Sequence, residues 1–128
     1  MNNVTSLSEL SFSEQKLIEL NAEDGFTSLV DGFNRACEKF PERPAFTCLG
    51  QTLCFSEIEQ LSRQFGCYLL DHCGLVAGDR VAVQLPNISQ FPIAVWGILR
   101  AGLVVVNTNP MYTAREQLHQ FNDSGAKA

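Results

Sequence analysis

The side chains best suited to hold a ligand fall in two short stretches. Pro86-Asn87 follows the apolar run RVAVQL, and Asn107-Thr108-Asn109-Pro110 follows LVVV. Arg115 comes shortly after the second stretch. Amide and hydroxyl groups donate and accept hydrogen bonds, so they can line a polar pocket. They are neutral, however, and neither offset phosphate charge nor carry a proton at neutral pH. Two readings compete for these residues. In one they form a ligand-lining edge. In the other they are turn and cap chemistry, because Asn tolerates the left-handed conformation and bonds its own backbone while Pro fixes a turn. Asn87 and Gln90 also stand at N-cap-to-N3 spacing. The turn-and-cap reading is the stronger. His72 has no second histidine or carboxylate at ligand spacing and reads as a core-edge residue. No phosphate-cradling glycine loop, dinucleotide fingerprint, zinc-binding helix or nucleophile elbow is written in the chain. No catalytic, cofactor-binding or metal-binding residue is therefore assigned.

The elements that must position these stretches follow from hydrophobic spacing. From Thr27, a good N-cap, Leu29, Val30, Phe33, Ala36, Cys37 and Phe40 recur at helical intervals and stop at Pro41. Residues 44–49 and 51–56 are two short strands meeting at Gly50, a small β-hairpin. Ser56 and Glu59 have capping-box spacing, and the helix they open places Ile58, Leu61, Phe65, Tyr68, Leu69 and His72 on one face before Gly74. Residues 80–85 form a β-branched strand, and a helix from Ile88 to about Ala101 is apolar nearly all round, the mark of burial. Leu103 to Val106 is the next strand, with Val105 expected to be fully buried in it. Thr113 and Glu116 open a last helix that turns Leu118 and Phe121 inward before Gly125. Strand, helix, strand, helix with such apolar strands predicts an α/β fold: a parallel, Rossmann-like sheet with helices on both faces, plus the hairpin. In such a sheet the loops at the carboxyl ends of the strands form the usual ligand crevice, and both opening stretches are such loops.

Composition narrows the function classes. A chain of 128 residues with 45% apolar and 18% charged residues can bury one domain's core. A net charge of −5 with nine basic residues offers no basic stripe for a phosphate backbone, so no nucleic acid is expected as a partner. The apolar run from Phe91 to Val106 is broken by Gly97, Arg100 and Gly102 and is too short to span a bilayer. The opening residues MNNVTSLSELSFSEQ lack the basic start and apolar run of a secretory signal. Five cysteines, none in a C-x-x-C pair, read as buried free thiols in a reducing cytoplasm rather than as a disulfide framework.

Residues 1–25 are polar and serine-rich and read as an N-terminal arm, loosely ordered or holding a short helix opened by Ser11 and Glu14; a partner-docking segment is the alternative. Residues 26–128 are one α/β unit. After Gly125, Ala126 to Ala128 open what should be a third parallel strand, so the chain is expected to be a truncated piece of a larger sheet. An incomplete sheet leaves a free edge, which predicts self-association.

The order of motifs also carries a resemblance. FPERPAF (40–46), GDRVAVQLPN (78–87) and QFPIAVWGILRAGLVVVNTNPMYTAREQLHQFNDSGAKA (90–128) closely resemble the N-terminal region of bacterial long-chain fatty acid CoA ligases, members of the adenylate-forming superfamily. The resemblance runs from about Phe26 to Ala128. Cys54-Phe55 stands where the family usually has Thr-Tyr. The resemblance implies a parent enzyme that makes an acyl-adenylate from a fatty acid and Mg-ATP and passes the acyl group to coenzyme A. It implies ATP, Mg²⁺ and coenzyme A as the parent's cofactors, none of them bound by this segment. The implied partner is the remainder of the ligase, and the implied location is the cytoplasm, with action at the inner membrane surface. The family's phosphate loop, adenine motif, ribose-binding Asp and catalytic Lys lie downstream of position 128, so the chain alone is expected to be a catalytically inert scaffold. The alternatives are a segment of an aryl- or medium-chain acid ligase, and a stand-alone acyl-binding or interaction module.

Overall fold

The structure, a computed structural model, describes residues 25–128; the expected arm and its short helix lie outside the described residues, save Gly25. Helix α1 spans Leu29–Lys39 and turns Phe33 and Cys37 inward. Its N-cap is Ser28 rather than Thr27: Ser28 Oγ accepts from the Asp31 N–H at 3.1 Å. Thr27 has another task, its N–H donating to Asp31 Oδ2 at 3.1 Å. That backbone hydrogen bond is the largest influence holding the Asp31 carboxyl below its ordinary range.

Strands β1 (Pro44–Cys48) and β2 (Gln51–Cys54) pair antiparallel around a two-residue turn. Both turn residues have positive φ, Leu49 at 49° and Gly50 at 80°, as a hairpin turn matched to strand twist requires. Helix α2 (Phe55–Asp71) starts directly from β2. The expected Ser56/Glu59 box is therefore displaced by two residues: Cys54 is the N-cap, and Glu57 Oε2 accepts its N–H at 2.9 Å. Glu59 is left free for another role.

The buried face of α2 also differs from the expected one. It comprises Ile58, Ser62, Gly66 and Leu69, while Leu61, Tyr68 and His72 are exposed. The reason is a close backbone approach to helix α3 (Gln90–Arg100). A Cβ on Gly66 would stand 2.9 Å from the Gly97 carbonyl oxygen, and one on Gly97 would stand 2.8 Å from that of Ser62. Only small residues fit along that line, so the large apolar side chains move off it. His72, displaced outward, stacks on Tyr68 with ring centroids 5.4 Å apart.

Strands β3 (Arg80–Val83) and β4 (Val104–Asn107) are parallel neighbours in the register Arg80↔Val104 to Val83↔Asn107. Val81 and Val83 point to the face covered by α3 and α2, where they join Leu69, Leu75, Ile98 and Leu103 in the main core. Val105 packs against this core but is half-buried, because β4 has no strand on its outer side among the described residues. Helix α4 (Ala114–Ser124) lies on the opposite face, where its Phe121 shares a cleft with Ala82 and Gln84. The Thr113/Glu116 capping box forms as expected. Leu118 does not point inward; it is 62% exposed.

No third strand forms among the described residues, but residues 127 and 128 bond the outer edge of β3. Lys127 N–H donates to the Arg80 carbonyl at 2.8 Å, and Ala82 N–H donates to the Ala128 carbonyl at 2.7 Å. These groups face away from β4, whose Val104 and Thr108 N–H groups bond Asp79 and Val83. Three side-chain and backbone links hold this edge: Lys127 Nζ to Asp79 Oδ1 at 2.7 Å, the Val76 N–H to Asp79 Oδ2 at 2.9 Å, and Arg80 to the Ser124 carbonyl at 2.9 Å. Gly125, in the left-handed conformation at φ 64°, closes α4 beside that arginine.

Candidate functional site

Connections from β3 and β4 leave toward opposite faces of the sheet, β3 to α3 and β4 to α4. Neighbouring strands that part in this way open a crevice at their carboxyl ends, the usual ligand position in such sheets. Here the crevice lies between the loop after Val83 and the loop after Asn107. Gln84 Nε2 reaches across it to the Asn109 carbonyl at 3.4 Å. Asn109 Oδ1 accepts from the Met111 N–H at 2.9 Å, and the Asn109 carbonyl accepts from the Tyr112 N–H at 3.1 Å. Gln120 Nε2 donates to the Asn107 carbonyl at 2.8 Å. Thr108 is only 4% exposed, and its Oγ1 has no hydrogen-bond partner among the described residues.

The sequence candidates therefore separate. Asn107, Thr108 and Asn109 do come together at the strand end, with Gln84 and Gln120 added. Asn109 is a turn-former, as the stronger reading held. Asn87 caps nothing: the N-cap of α3 is Ser89, which makes no side-chain capping bond. Asn87 instead borders a second cleft, beside the hairpin, where its carbonyl meets Cys48 Sγ at 3.9 Å. Arg115 is exposed in the first turn of α4 and faces a shallow surface hollow with Tyr112 and His119. The crevice thus presents neutral amides and one orphaned hydroxyl. A magnesium-bound triphosphate needs carboxylates for the metal and cations for its oxygens, and this donor set does not fit it.

One part-buried polar cluster was not legible in the sequence. Arg100, 15% exposed, donates to Glu59 Oε1 at 2.8 Å, to the Glu59 carbonyl at 3.2 Å and to Ser62 Oγ at 3.3 Å. Arg63 also bonds Glu59 Oε1. Burial acts to raise the Glu59 pKa, but the two arginines outweigh it, and the carboxyl is held below its ordinary range. Burial likewise pushes up the neighbouring Cys37 thiol. The only hint in the sequence is an arginine at the end of an otherwise apolar helix. The cluster ties α2 to α3, with the Arg100 guanidinium 5.9 Å above the Phe33 ring of α1. All five cysteines are free, but only Cys37 is buried: Cys48 and Cys54 are half-buried and Cys67 and Cys73 exposed, against the expectation of buried thiols.

Comparison with known proteins agrees with this architecture. The chain is 50% identical over 105 residues to a long-chain-fatty-acid--CoA ligase of Escherichia coli O6:H1, a match covering 82% of this chain and 19% of the relative. It is 41% identical over 86 residues to the enzyme of that name from Bacillus subtilis, covering 67% and 15%. The N-terminal subdomain of Klebsiella oxytoca NpsA, solved with 3-hydroxyanthranilyl-AMSN, superposes with a TM-score of 0.75 at 22% identity, covering 80% of this chain and 26% of that one. O-succinylbenzoate coenzyme A synthetase (MenE) of Bacillus subtilis superposes with a TM-score of 0.69 at 29% identity, covering 73% and 20%. The chain thus spans about a fifth of the length of the Escherichia coli relative. Residues 33–128 match the model of the AMP-binding enzymes, and the chain belongs to that family.

Proposed function

We propose that this chain is the N-terminal scaffold of a long-chain fatty acid CoA ligase, which forms an acyl-adenylate from a fatty acid and ATP and then transfers the acyl group to coenzyme A. The observation that carries this reading is 50% identity over 82% of the chain against only 19% of the relative. The rest of such a ligase is the partner, and it brings the groups that hold ATP, Mg²⁺ and coenzyme A. The neutral crevice of Gln84, Asn107, Thr108 and Asn109 supports a wall of a larger site rather than a complete one. None of the described helices is long and apolar enough to cross a membrane. The parent ligase is proposed to be cytoplasmic and to act at the inner membrane surface.

Two measurements test the proposal. Incubated with palmitate, Mg-ATP and coenzyme A, the purified chain should release no pyrophosphate and form no acyl-CoA. Turnover that survives repurification and scales with chain concentration would overturn the scaffold reading. Conversely, an Escherichia coli ligase whose matching segment is replaced by residues 26–128 should still make palmitoyl-CoA. A folded but inactive chimera would remove the assignment to this ligase branch.

A further inference from the structure

The apolar cleft beside the hairpin is lined by uncharged side chains alone, so nothing in it selects an occupant. A different hollow, of about 330 Å³, runs along α1 and is lined by Phe26, Gly32, Arg35, Ala36, Lys39 and Phe40. Its wall combines aromatic rings with cations. The Arg35 guanidinium stands 5.4 Å from the Phe26 ring centroid, and Phe40 is approached by Lys39 Nζ at 5.3 Å and by the Arg43 guanidinium at 4.6 Å. Arg35 is engaged by Asp31 at 3.1 Å. Lys39 and Arg43, both exposed, form no ion pair among the described residues. The neighbouring Glu38 lines a separate hollow with Glu59 and Arg100, and Glu42 bonds neither cation. Two cations thus flank one aromatic ring without a carboxylate partner, in a chain whose net charge is −5.

We propose that this hollow seats residues 14–24 of the chain's own N-terminal arm, with their carboxylates on Lys39 and Arg43. Charge selects this occupant. Residues 1–24 hold five carboxylates and one lysine, whereas residues 25–128 hold nine and eight, so most of the net charge resides in the arm. Glu14, Glu19, Glu23 and Asp24 supply the anions, and Leu17, Ile18 and Leu20 supply apolar groups for the aromatic part of the wall. Reach selects it as well. The arm joins the described chain at Gly25, where φ is 54°, and the ring of the next residue, Phe26, already lies over α1: a Cβ on Gly32 would stand 3.5 Å from it. From Gly32 to Phe40 the helix rises about 12 Å, which about four extended residues cover. Exposed ion pairs are weak between separate molecules, but a segment tethered at the rim of its seat meets it at a high effective concentration.

Endoproteinase Glu-C, which cuts after glutamate, reads the seat directly, because Glu14, Glu19 and Glu23 lie within the proposed segment. Release of arm peptides from the full chain should be followed by mass spectrometry at low salt. Lys39→Gln combined with Arg43→Gln should speed that release at least about 3-fold, since cleavage follows the population of the open arm. Raising the salt to about 0.5 M should speed it in the unaltered chain and not in the double variant, after correction for the protease's rate on a free arm peptide. The charge-conserving pair Lys39→Arg and Arg43→Lys should be cut like the unaltered chain, as should Arg115→Gln, a cation outside the hollow. A second measurement needs no variant: carbodiimide coupling of the unaltered chain should join Lys39 to a carboxylate of residues 14–24 within one copy. Equal release from the unaltered chain and the double variant, or no such link, would overturn the proposal. Links that join isotope-labelled to unlabelled chains would assign the hollow to the arm of a second copy and overturn the intramolecular seat.

Discussion

At the scale of single residues, the Glu59–Arg100 pair is the interaction most exposed to test. Both partners are largely buried, at 22% and 15% side-chain exposure, so removing one strands the other in a poorly hydrated place. Arg100→Met should cost about 1–3 kcal/mol in urea unfolding, less than a fully buried pair because Arg63 still reaches Glu59. Glu59→Gln should cost less, since the amide retains hydrogen-bonding capacity. The pair also sets a pH dependence. The folded-state pKa of Glu59 is depressed, so its contribution is complete above the unfolded value of about 4.3 and is lost as pH falls through the lower folded value. Wild-type stability should therefore decline below about pH 4 more steeply than that of Glu59→Gln. Parallel acid titrations followed by circular dichroism would show it, and identical curves would remove Glu59 from the account.

The element scale holds the contact between α2 and α3. Glycine to alanine in a helix ordinarily stabilises by about 1 kcal/mol. At Gly97 the new Cβ would stand 2.8 Å from the Ser62 carbonyl oxygen and 2.9 Å from Phe65, so the helices must separate. Gly97→Ala should instead destabilise by about 1–3 kcal/mol. A raised denaturation midpoint would show that the helices are not packed this closely. The hairpin offers the opposite sign. Leu49 is held at positive φ, where a branched side chain is strained and Asn before Gly is preferred. Leu49→Asn should raise stability by about 1 kcal/mol, measured as a higher melting temperature. Two strand substitutions separate buried from edge positions: Val81→Asp should prevent folding, while Val105→Asp, on the half-buried strand, should leave a folded but weakened protein.

For the whole molecule, the sheet has one edge occupied by Lys127 and Ala128 and the other, along β4, open among the described residues. Val104 on that strand is exposed, and Met111 and Leu118 are further exposed apolar residues. An open edge with apolar neighbours favours pairing with another chain. Sedimentation velocity over a range of concentrations should show reversible self-association, and Val104→Lys should reduce it by placing charge on the edge strand. A clean monomer at every concentration would mean that the edge is protected in some other way.

The residue order alone was enough for the parallel α/β class, the hairpin at Gly50, the Thr113/Glu116 cap and the resemblance that the family match later supported. Each depends on local chemistry, namely alternation, turn residues and the spacing of a cap from its acceptor, which sequence records directly. Other features depend on which surfaces meet, and sequence spacing carries no measure of that. A count of apolar residues placed Leu61, Tyr68 and His72 inward, whereas the glycine contact between α2 and α3 admits only Ser62 and Gly66 on that line. The same packing brought Arg100 onto Glu59 from 41 residues away, and separated Asn87 from Asn107 and Asn109. Side chains far apart in the chain become neighbours only when helices and strands dock, so the part-buried ion pair, the apolar cleft and the exposed position of His72 were decided by tertiary structure.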